Sequence, residues 1–203
     1  MEQAIEIIGT LVGIIYLWLE YRASIYLWVA SIIMPAIYLY VYYNAGLYAD
    51  FGINIYYLLI ALYGWAAWRY GFHLFGSKKK EEKELAITHT PKRVWGKLAL
   101  TYIAAQCAIT YILVNYTDST VPYGDSFTTA LSIVALYMLA RKQVEQWLVW
   151  LVVDAVCCGL YLYKGLYPTA ALYGLYTILA WVGYLRWLKM IEEQKHNATL
   201  PTA

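Results

Sequence analysis

The stretch "QWLVWLVVDAV", Gln146–Val156, decides the fold, because it places one aspartate, Asp154, deep inside an apolar run. The run continues to Tyr163, which makes it close to the roughly 20 residues that a membrane-spanning helix needs. An ionisable side chain at the centre of such a helix costs about 2.5–3.5 kcal/mol and is a functional-site hypothesis by default. The stretch therefore predicts both a membrane protein and a site within the membrane.

The composition agrees with a membrane protein. The 203 residues are 62% hydrophobic and 14% charged, whereas about 25% of a typical soluble domain is charged. The three cysteines lie inside apolar runs and show neither a metal-ligand pattern nor a disulfide framework. The N-terminus carries Glu2 and Glu6 without a basic region, so it is no secretory signal and we expect the first apolar segment to remain in the protein.

Seven segments are long and apolar enough to be candidate spans, and Tyr and Trp residues crowd many of their ends, as is typical of side chains at the headgroup level. The seven are Ala4–Leu19, Ser24–Tyr43, Phe51–Phe72, Val94–Asn115, Phe127–Ala140, Gln146–Tyr163 and Pro168–Leu188.

The distribution of basic residues predicts the orientation. With the long loop Gly76–Arg93 placed in the cytoplasm, 14 of the 15 Lys and Arg residues fall inside and only Lys164 falls outside. The N-terminus is then outside and the C-terminus inside. Because the run "KKKEEKE" in that loop mixes both signs, it indicates a solvated loop that sets the topology, not a patch for nucleic acid or lipid.

An internal repeat appears when the chain is compared with itself at an offset of 119 residues. Positions 22–68 then match positions 141–187 at 11 identical residues, including the block Gly-Leu-Tyr and a shared Gly–Trp spacing. Each copy covers three spans, and the fourth span inverts the chain between them. Parallel repeats of this kind place a transporter's substrate site between them, near the bilayer midplane.

We therefore predict an all-α membrane protein with seven transmembrane helices, arranged as two parallel three-helix repeats joined by an inverting linker helix (3+1+3). The segments are residues 1–72 for the first repeat, 73–93 for a cytoplasmic loop, 94–115 for the linker helix, 126–190 for the second repeat and 191–203 for a cytoplasmic tail.

Span six carries the main candidates for substrate binding. Asp154 lies eight residues from Gln146, about 12 Å along the helix and near the bilayer centre. Trp147, Trp150, Asp154 and Tyr161 share one helical face. Two indoles and a carboxylate suit a flat, cationic, aromatic ligand. The alternatives are that Asp154 only bonds to neighbouring donors and that Trp147 belongs to the interfacial belt.

The other spans add candidates through the repeat. Asn54 and Tyr173 occupy equivalent positions on spans three and seven, and Tyr57 lies on the same face as Asn54. These three are further substrate-binding candidates, and simple polar bonds between helices are the alternative. Pro35, the repeat mate of Asp154, removes a backbone hydrogen bond in mid-span and is either a hinge or a packing kink.

Three stretches resemble the PnuC family of bacterial vitamin transporters. "WLVWLVVD" is similar to that family's Trp-x-x-Trp-x-x-x-Asn signature, and "YGWAAW", Tyr63–Trp68, resembles its Tyr-Gly-Trp-x-x-Trp block. "YKGLYPTAALYGLYTILAWVGYLRWLK" resembles the last helix and the turn before it. The resemblance covers most of the chain and is weakest in the first helix and the linker.

The resemblance implies a seven-helix fold similar to the SWEET sugar transporters, in the bacterial inner membrane, with no cofactor. It implies facilitated diffusion by alternating access, with the substrate trapped by phosphorylation in the cytoplasm, and a homotrimer in the nicotinamide riboside branch. By motif position, Trp147, Trp150 and Asp154 correspond to substrate-binding positions, and Asn54 falls where relatives often carry a Gln that is implicated in binding.

One departure from the family pattern bears on the substrate. The riboside branch has Asn at the last signature position, where this chain has Asp154. An acidic side chain suits the thiazolium cation or the aminopyrimidine of thiamine, so we expect thiamine, as in the PnuT branch. Nicotinamide riboside, which is also a cation, and another vitamin such as riboflavin are the alternatives.

Other functional classes fit less well. The chain has no second acid in mid-membrane for an aspartyl protease or for acid–base chemistry, no lysine midway along span seven for a retinal protein, and no phosphate loop. The sequence therefore predicts a carrier rather than an enzyme. An ion-coupled carrier, with Asp154 as the proton site, is the remaining mechanistic alternative.

Overall fold

Helices account for most of the described residues in a computed structural model, which describes residues 13–44, 48–71 and 85–199. The described residues contain seven helices, the first of them in part, and one isolated β-bridge between Thr88 and Gln143. The helices are α1 (13–21), α2 (Leu27–Asn44), α3 (Tyr48–Tyr70), α4 (Lys92–Tyr116), α5 (Pro122–Ala140), α6 (Gln146–Tyr163) and α7 (Tyr167–Thr199).

The described ends of the helices agree with the predicted spans to within about three residues, except for the start of α5 and the end of α7. Helix α5 starts at Pro122, ahead of the predicted Phe127, because a proline is favourable in the first turn, where its missing N–H would have no partner in any case. Helix α7 continues to Thr199, since neither Gly nor Pro interrupts residues 184–199. Residues 4–12 of the first predicted span, Phe72 at the end of the third and residues 73–84 of the predicted loop lie outside the described residues.

The surface of these helices is apolar, as a lipid-facing surface requires. Leu59, Leu100 and Ile178 are each more than 60% exposed, whereas the polar residues Ser126 and Asn54 are buried. By length and composition, three of the described helices can cross a membrane, and Leu27–Tyr40 forms a shorter apolar helix. The three are Phe51–Tyr70 in α3, Lys92–Tyr116 (α4) and Gln146–Tyr163 (α6).

The chain divides into two units, Met1–Leu85 with α1–α3 and Ala86–Ala203 with α4–α7. Within the second unit, α4 packs on α5 through Leu98, Val134 and Met138. The amide of Gln106 and the hydroxyl of Thr110 each donate to the Ser126 hydroxyl at 2.8 Å. The predicted linker helix is therefore fastened to the second unit by apolar packing and by buried hydrogen bonds.

A left-handed residue ends α1 in the first unit. Ala23 has φ +49°, and its N–H donates to the Glu20 carbonyl at 2.9 Å. The Ser24 N–H donates to the Leu19 carbonyl at 2.8 Å. This pair of bonds is the Schellman motif, which satisfies the last carbonyls of a helix and turns the chain sharply into the next one.

The second unit repeats this turn at the 119-residue offset. Lys142 has φ +48° and donates its N–H to the Leu139 carbonyl at 2.9 Å, and the Gln143 N–H donates to the Met138 carbonyl at 3.0 Å. Lys142 and Gln143 are the repeat mates of Ala23 and Ser24. The α1–α2 and α5–α6 turns therefore share one backbone geometry, although neither has the glycine that this position favours.

Replacing Ala23 with glycine is expected to stabilise the protein, because a left-handed conformation costs a residue with a Cβ atom roughly 1 kcal/mol. Thermal unfolding in detergent should show a higher midpoint for Ala23→Gly. The matched control is Ala155→Gly, at an exposed position inside α6, which should lose about 1 kcal/mol. If both variants lost stability equally, the turn would carry no strain.

Candidate functional site

Helix α6 carries the predicted signature on one face. The α5–α6 turn positions the start of this helix at Gln146, so Trp147 lies in its first turn and Asp154 in its middle. Trp147 is 2% exposed and Asp154 is 8% exposed, whereas Trp150 and Tyr161 are half-buried. The signature face of α6 therefore points into the protein and not toward lipid.

Asp154 is buried, and the part of the chain that the structure describes gives its side chain no hydrogen-bonding or ionic partner. A buried charge that lacks a partner costs several kcal/mol, about 3–5 kcal/mol where the partner of an existing pair is removed. The burial of a carboxylate at membrane depth becomes favourable once a cation or a set of hydrogen-bond donors binds to it.

The indole of Trp150 also has unused hydrogen-bonding capacity. Its Nε1 atom is buried and finds no acceptor within the part of the chain that the structure describes. Trp150 lies one helical turn before Asp154 on the same face. The two side chains together present an aromatic surface, an N–H donor and a carboxylate, which are complementary to a flat cation that carries polar groups.

Trp147 has a different environment. Its ring lies edge-on to Trp187 of α7, with centroids 5.8 Å apart and an interplanar angle of 87°. Gly183 faces the same ring so closely that a Cβ atom there would lie 2.7 Å from it. Its Nε1 atom is buried and lacks an acceptor among the described residues, as in Trp150. Trp147 therefore packs α6 against α7, and its role in substrate binding stays a prediction.

The first unit contains the same arrangement at the repeat-related positions. Trp28 lies edge-on to Trp68 at 5.5 Å and 87°, and a Cβ atom on Gly64 would lie 2.3 Å from the Trp28 ring. In both units the close neighbour of the glycine, Gly64 or Gly183, is therefore an indole ring. The signal for these contacts was the Gly–Trp spacing that the two copies share.

A second aromatic group joins α6 and α7 beyond Asp154. Tyr161 and Tyr173 have ring centroids 5.0 Å apart, and Tyr173 and Tyr176 are 5.6 Å apart. Tyr173 and Tyr176 both lie within electrostatic range of Asp154. The structure thus brings Asp154, Tyr161 and Tyr173 together in the second unit and adds Tyr176, which was not among the predicted binding residues.

The remaining candidates lie in the first unit. Asn54 is 8% exposed and interacts with its surroundings, and Tyr57 contacts Tyr56 with ring centroids 5.9 Å apart. Pro35 is buried within α2, which runs without interruption from Leu27 to Asn44. Within residues 13–44, 48–71 and 85–199, no three His, Cys, Asp or Glu side chains lie close enough together to hold a metal ion.

Comparisons with known proteins agree on one family. The sequence pattern of a family described as nicotinamide mononucleotide transporters matches residues 3–189. The chain is 23% identical to the nicotinamide riboside transporter PnuC of Escherichia coli (strain K12), over 96% of this chain and 89% of that protein. It is 25% identical to the riboflavin/roseoflavin transporter RibM of Streptomyces davaonensis, over 90% of this chain and 83% of that protein.

A solved structure shares the fold. The crystal structure of the vitamin B3 transporter PnuC superposes with a TM-score of 0.64 and 23% identity, covering 91% of this chain and 80% of that one. The predicted resemblance to the PnuC family is therefore confirmed. These relatives are named for nicotinamide riboside, riboflavin and vitamin B3, and thus give no support to thiamine.

Replacing Gly183 with alanine is expected to destabilise the protein by about 1–3 kcal/mol, because the added methyl group would overlap the enclosed ring of Trp147. Thermal unfolding in detergent checks this. Gly159→Ala is the matched control on α6, since a Cβ atom there meets nothing within 4 Å and alanine is the better helix former. Equal stability of the two variants would contradict the close contact.

Proposed function

Because the chain belongs to the nicotinamide mononucleotide transporter family, the family of the PnuC proteins, we propose that it carries a flat, cationic vitamin across the bacterial inner membrane. Nicotinamide riboside is the first candidate substrate. The relative in Escherichia coli is named for this compound, and its pyridinium ring has the shape and charge that an indole and a carboxylate attract.

The single observation that carries this proposal is the buried carboxylate of Asp154, which has no partner among the described residues. A substrate cation would supply the missing charge, and the ring of Trp150 would stack on the aromatic plane. Tyr161 and Tyr173 supply hydroxyl groups near the same part of α6 for a sugar or an amide. Asn54, Tyr57 and Trp147 remain proposed contributors, and Pro35 a proposed hinge.

Thiamine is the second candidate, and Asp154 is the reason to keep it. The relatives favour nicotinamide riboside over our sequence-based expectation of thiamine. The acidic residue at the last signature position nevertheless suits thiamine, which carries a full positive charge and an amino group. Both compounds are flat cations, so the choice between them depends on measured affinities.

We further propose the 3+1+3 arrangement, with α1–α3 and α5–α7 as parallel repeats and α4 between them. The matching turns at Ala23 and Lys142 and the matching indole–glycine contacts support it. The positive-inside pattern supports an outside N-terminus and a cytoplasmic C-terminus. The carrier would work by facilitated diffusion with alternating access to the substrate, and phosphorylation in the cytoplasm would trap the substrate.

Substrate binding should depend on Asp154 and Trp150. Titration calorimetry on the purified protein should show that it binds nicotinamide riboside. Asp154→Asn should weaken the binding of thiamine about tenfold, or 1.4 kcal/mol, because it removes the counter-ion. Trp150→Ala should weaken it about fivefold or more through lost stacking.

The matched controls are Asp118→Asn, in an exposed loop, and Trp181→Ala, where the side chain is 49% exposed. Both should leave the dissociation constant unchanged. A change of less than about twofold for Asp154→Asn would refute the counter-ion role. Tighter binding of thiamine than of nicotinamide riboside by the wild-type protein would reverse the order of the two candidates.

The protein should exchange substrate across the membrane without coupling to an ion gradient. In proteoliposomes, labelled nicotinamide riboside should exchange with unlabelled substrate inside at the same rate with and without a proton ionophore. Protein-free liposomes provide the background rate. Net uphill accumulation that the ionophore abolishes would instead show ion coupling, with Asp154 as the first proton site to test.

A further inference from the structure

A short extended segment contacts the turn that precedes the signature helix. The Thr88 N–H donates to the Lys142 carbonyl at 3.0 Å, and the Val144 N–H donates to the Thr88 carbonyl at 3.0 Å. These two bonds form the parallel bridge between Thr88 and Gln143. Ile87 and Val144 are buried at 3% and 0% exposure. Residues 87–90, hereafter the 87–90 segment, are therefore held against the α5–α6 turn by backbone bonds and by apolar packing.

The carboxylate of Glu145 completes this contact. Its Oε2 atom accepts from the Thr90 N–H at 2.8 Å and from the Thr90 hydroxyl at 2.7 Å. Its Oε1 atom lies 2.7 Å from Nδ1 of His89, which must donate, because a carboxylate only accepts. Hydrogen bonds to an ionised group are about twice as strong as those between neutral groups.

Glu145 is ionised at neutral pH. Burial acts to raise the pKa of its carboxyl, but the hydrogen bonds from His89 and Thr90 outweigh burial, and the net pKa lies below the usual value. Glu145 also stands at the position just before α6, yet its side chain makes no capping bond to that helix. The carboxylate is therefore directed to the 87–90 segment instead of its own helix.

The repeat-related position in the first unit carries no carboxylate. The repeat mate of Glu145 is Tyr26, which is 69% exposed, although the turn around it has the same backbone bonds. The turn geometry thus forms without Glu145. The acid is present only where the turn leads into the helix with Trp147, Trp150 and Asp154, which indicates a role in that helix beyond making the turn.

We propose that Glu145, held by His89 and Thr90, is a positioning residue for substrate binding: it anchors the first turn of α6 and so sets the rotation of the signature face. Trp150 lies five residues from Glu145, within about 8 Å along the helix axis. A helix start that frays or rotates moves this indole relative to Asp154. The proposal rests on the proposed function, because it assigns the signature face to the substrate.

The test combines two measurements on purified full-length variants. Hydrogen exchange reports the first turns of α6, residues 146–153, and titration calorimetry with nicotinamide riboside and thiamine reports binding. We expect Glu145→Ala to accelerate exchange there at least tenfold and to weaken binding at least fivefold. Thr90→Val, which removes one donor and leaves Glu145 intact, should have smaller effects in the same direction.

Two further variants serve as controls. Thr90→Ser keeps the hydroxyl group, so its exchange rates in residues 146–153 and its dissociation constant should equal those of the wild type. Glu193→Ala removes an exposed ion pair with Arg186 on α7 and should change neither value. If Glu145 only stabilised the fold, its removal would lower the unfolding temperature and leave the dissociation constant of the folded protein unchanged.

The outcomes separate this proposal from the proposed function. Unchanged exchange in residues 146–153, or faster exchange with unchanged affinity, overturns the positioning role. If the wild-type protein binds neither probe, the proposed substrates are wrong. The hydrogen-exchange rates of residues 146–153 in Glu145→Ala then show by themselves whether Glu145 anchors α6. Loss of affinity in Trp150→Ala and Asp154→Asn without loss in Glu145→Ala upholds the site and overturns only the positioning role.

Discussion

The packing of an indole edge-on to a second indole, over a glycine, is the interaction on which the helix arrangement depends. Within a bilayer, lipid tails are as apolar as leucine, so burial alone does not drive helices together and close van der Waals contact must do so. Because Gly183 has no side chain, the Trp147 ring packs directly against its backbone, and the Trp187 ring packs edge-on against Trp147. This contact fixes α6 against α7 and thereby determines where the side chains deeper on α6 point.

The polar groups of the second unit fall into two kinds. Ser126 and Glu145 are surrounded by donors from neighbouring segments, and their bonds hold those segments together. Asp154 is buried as well, yet among the described residues its carboxylate has no hydrogen bond and no ion pair. Asp154 lies at membrane depth, where no bulk water compensates an ionised carboxylate, so the binding of a cation or of hydrogen-bond donors there is favourable.

The two copies of the repeat share their packing and differ in their chemistry. The left-handed turn residues and the indole–glycine contacts occur at matching positions. The acids do not: Asp154 corresponds to Pro35 and Glu145 corresponds to Tyr26. At these two positions the acid therefore occurs only in the second unit, on and just before the helix that carries Trp150.

The sequence by itself determined the helices, because a chain in lipid must satisfy every backbone group internally, and runs of about 20 apolar residues do so only as helices. It also placed Trp150 and Asp154 on one face and related the glycines of the two copies, since both follow from regular spacing. Only the tertiary structure decided that Trp147 packs on Trp187 and that Glu145 bonds to residues 55 and 56 positions away. These contacts join segments distant in the chain and leave no periodic signal, so they depend on how the helices pack against one another.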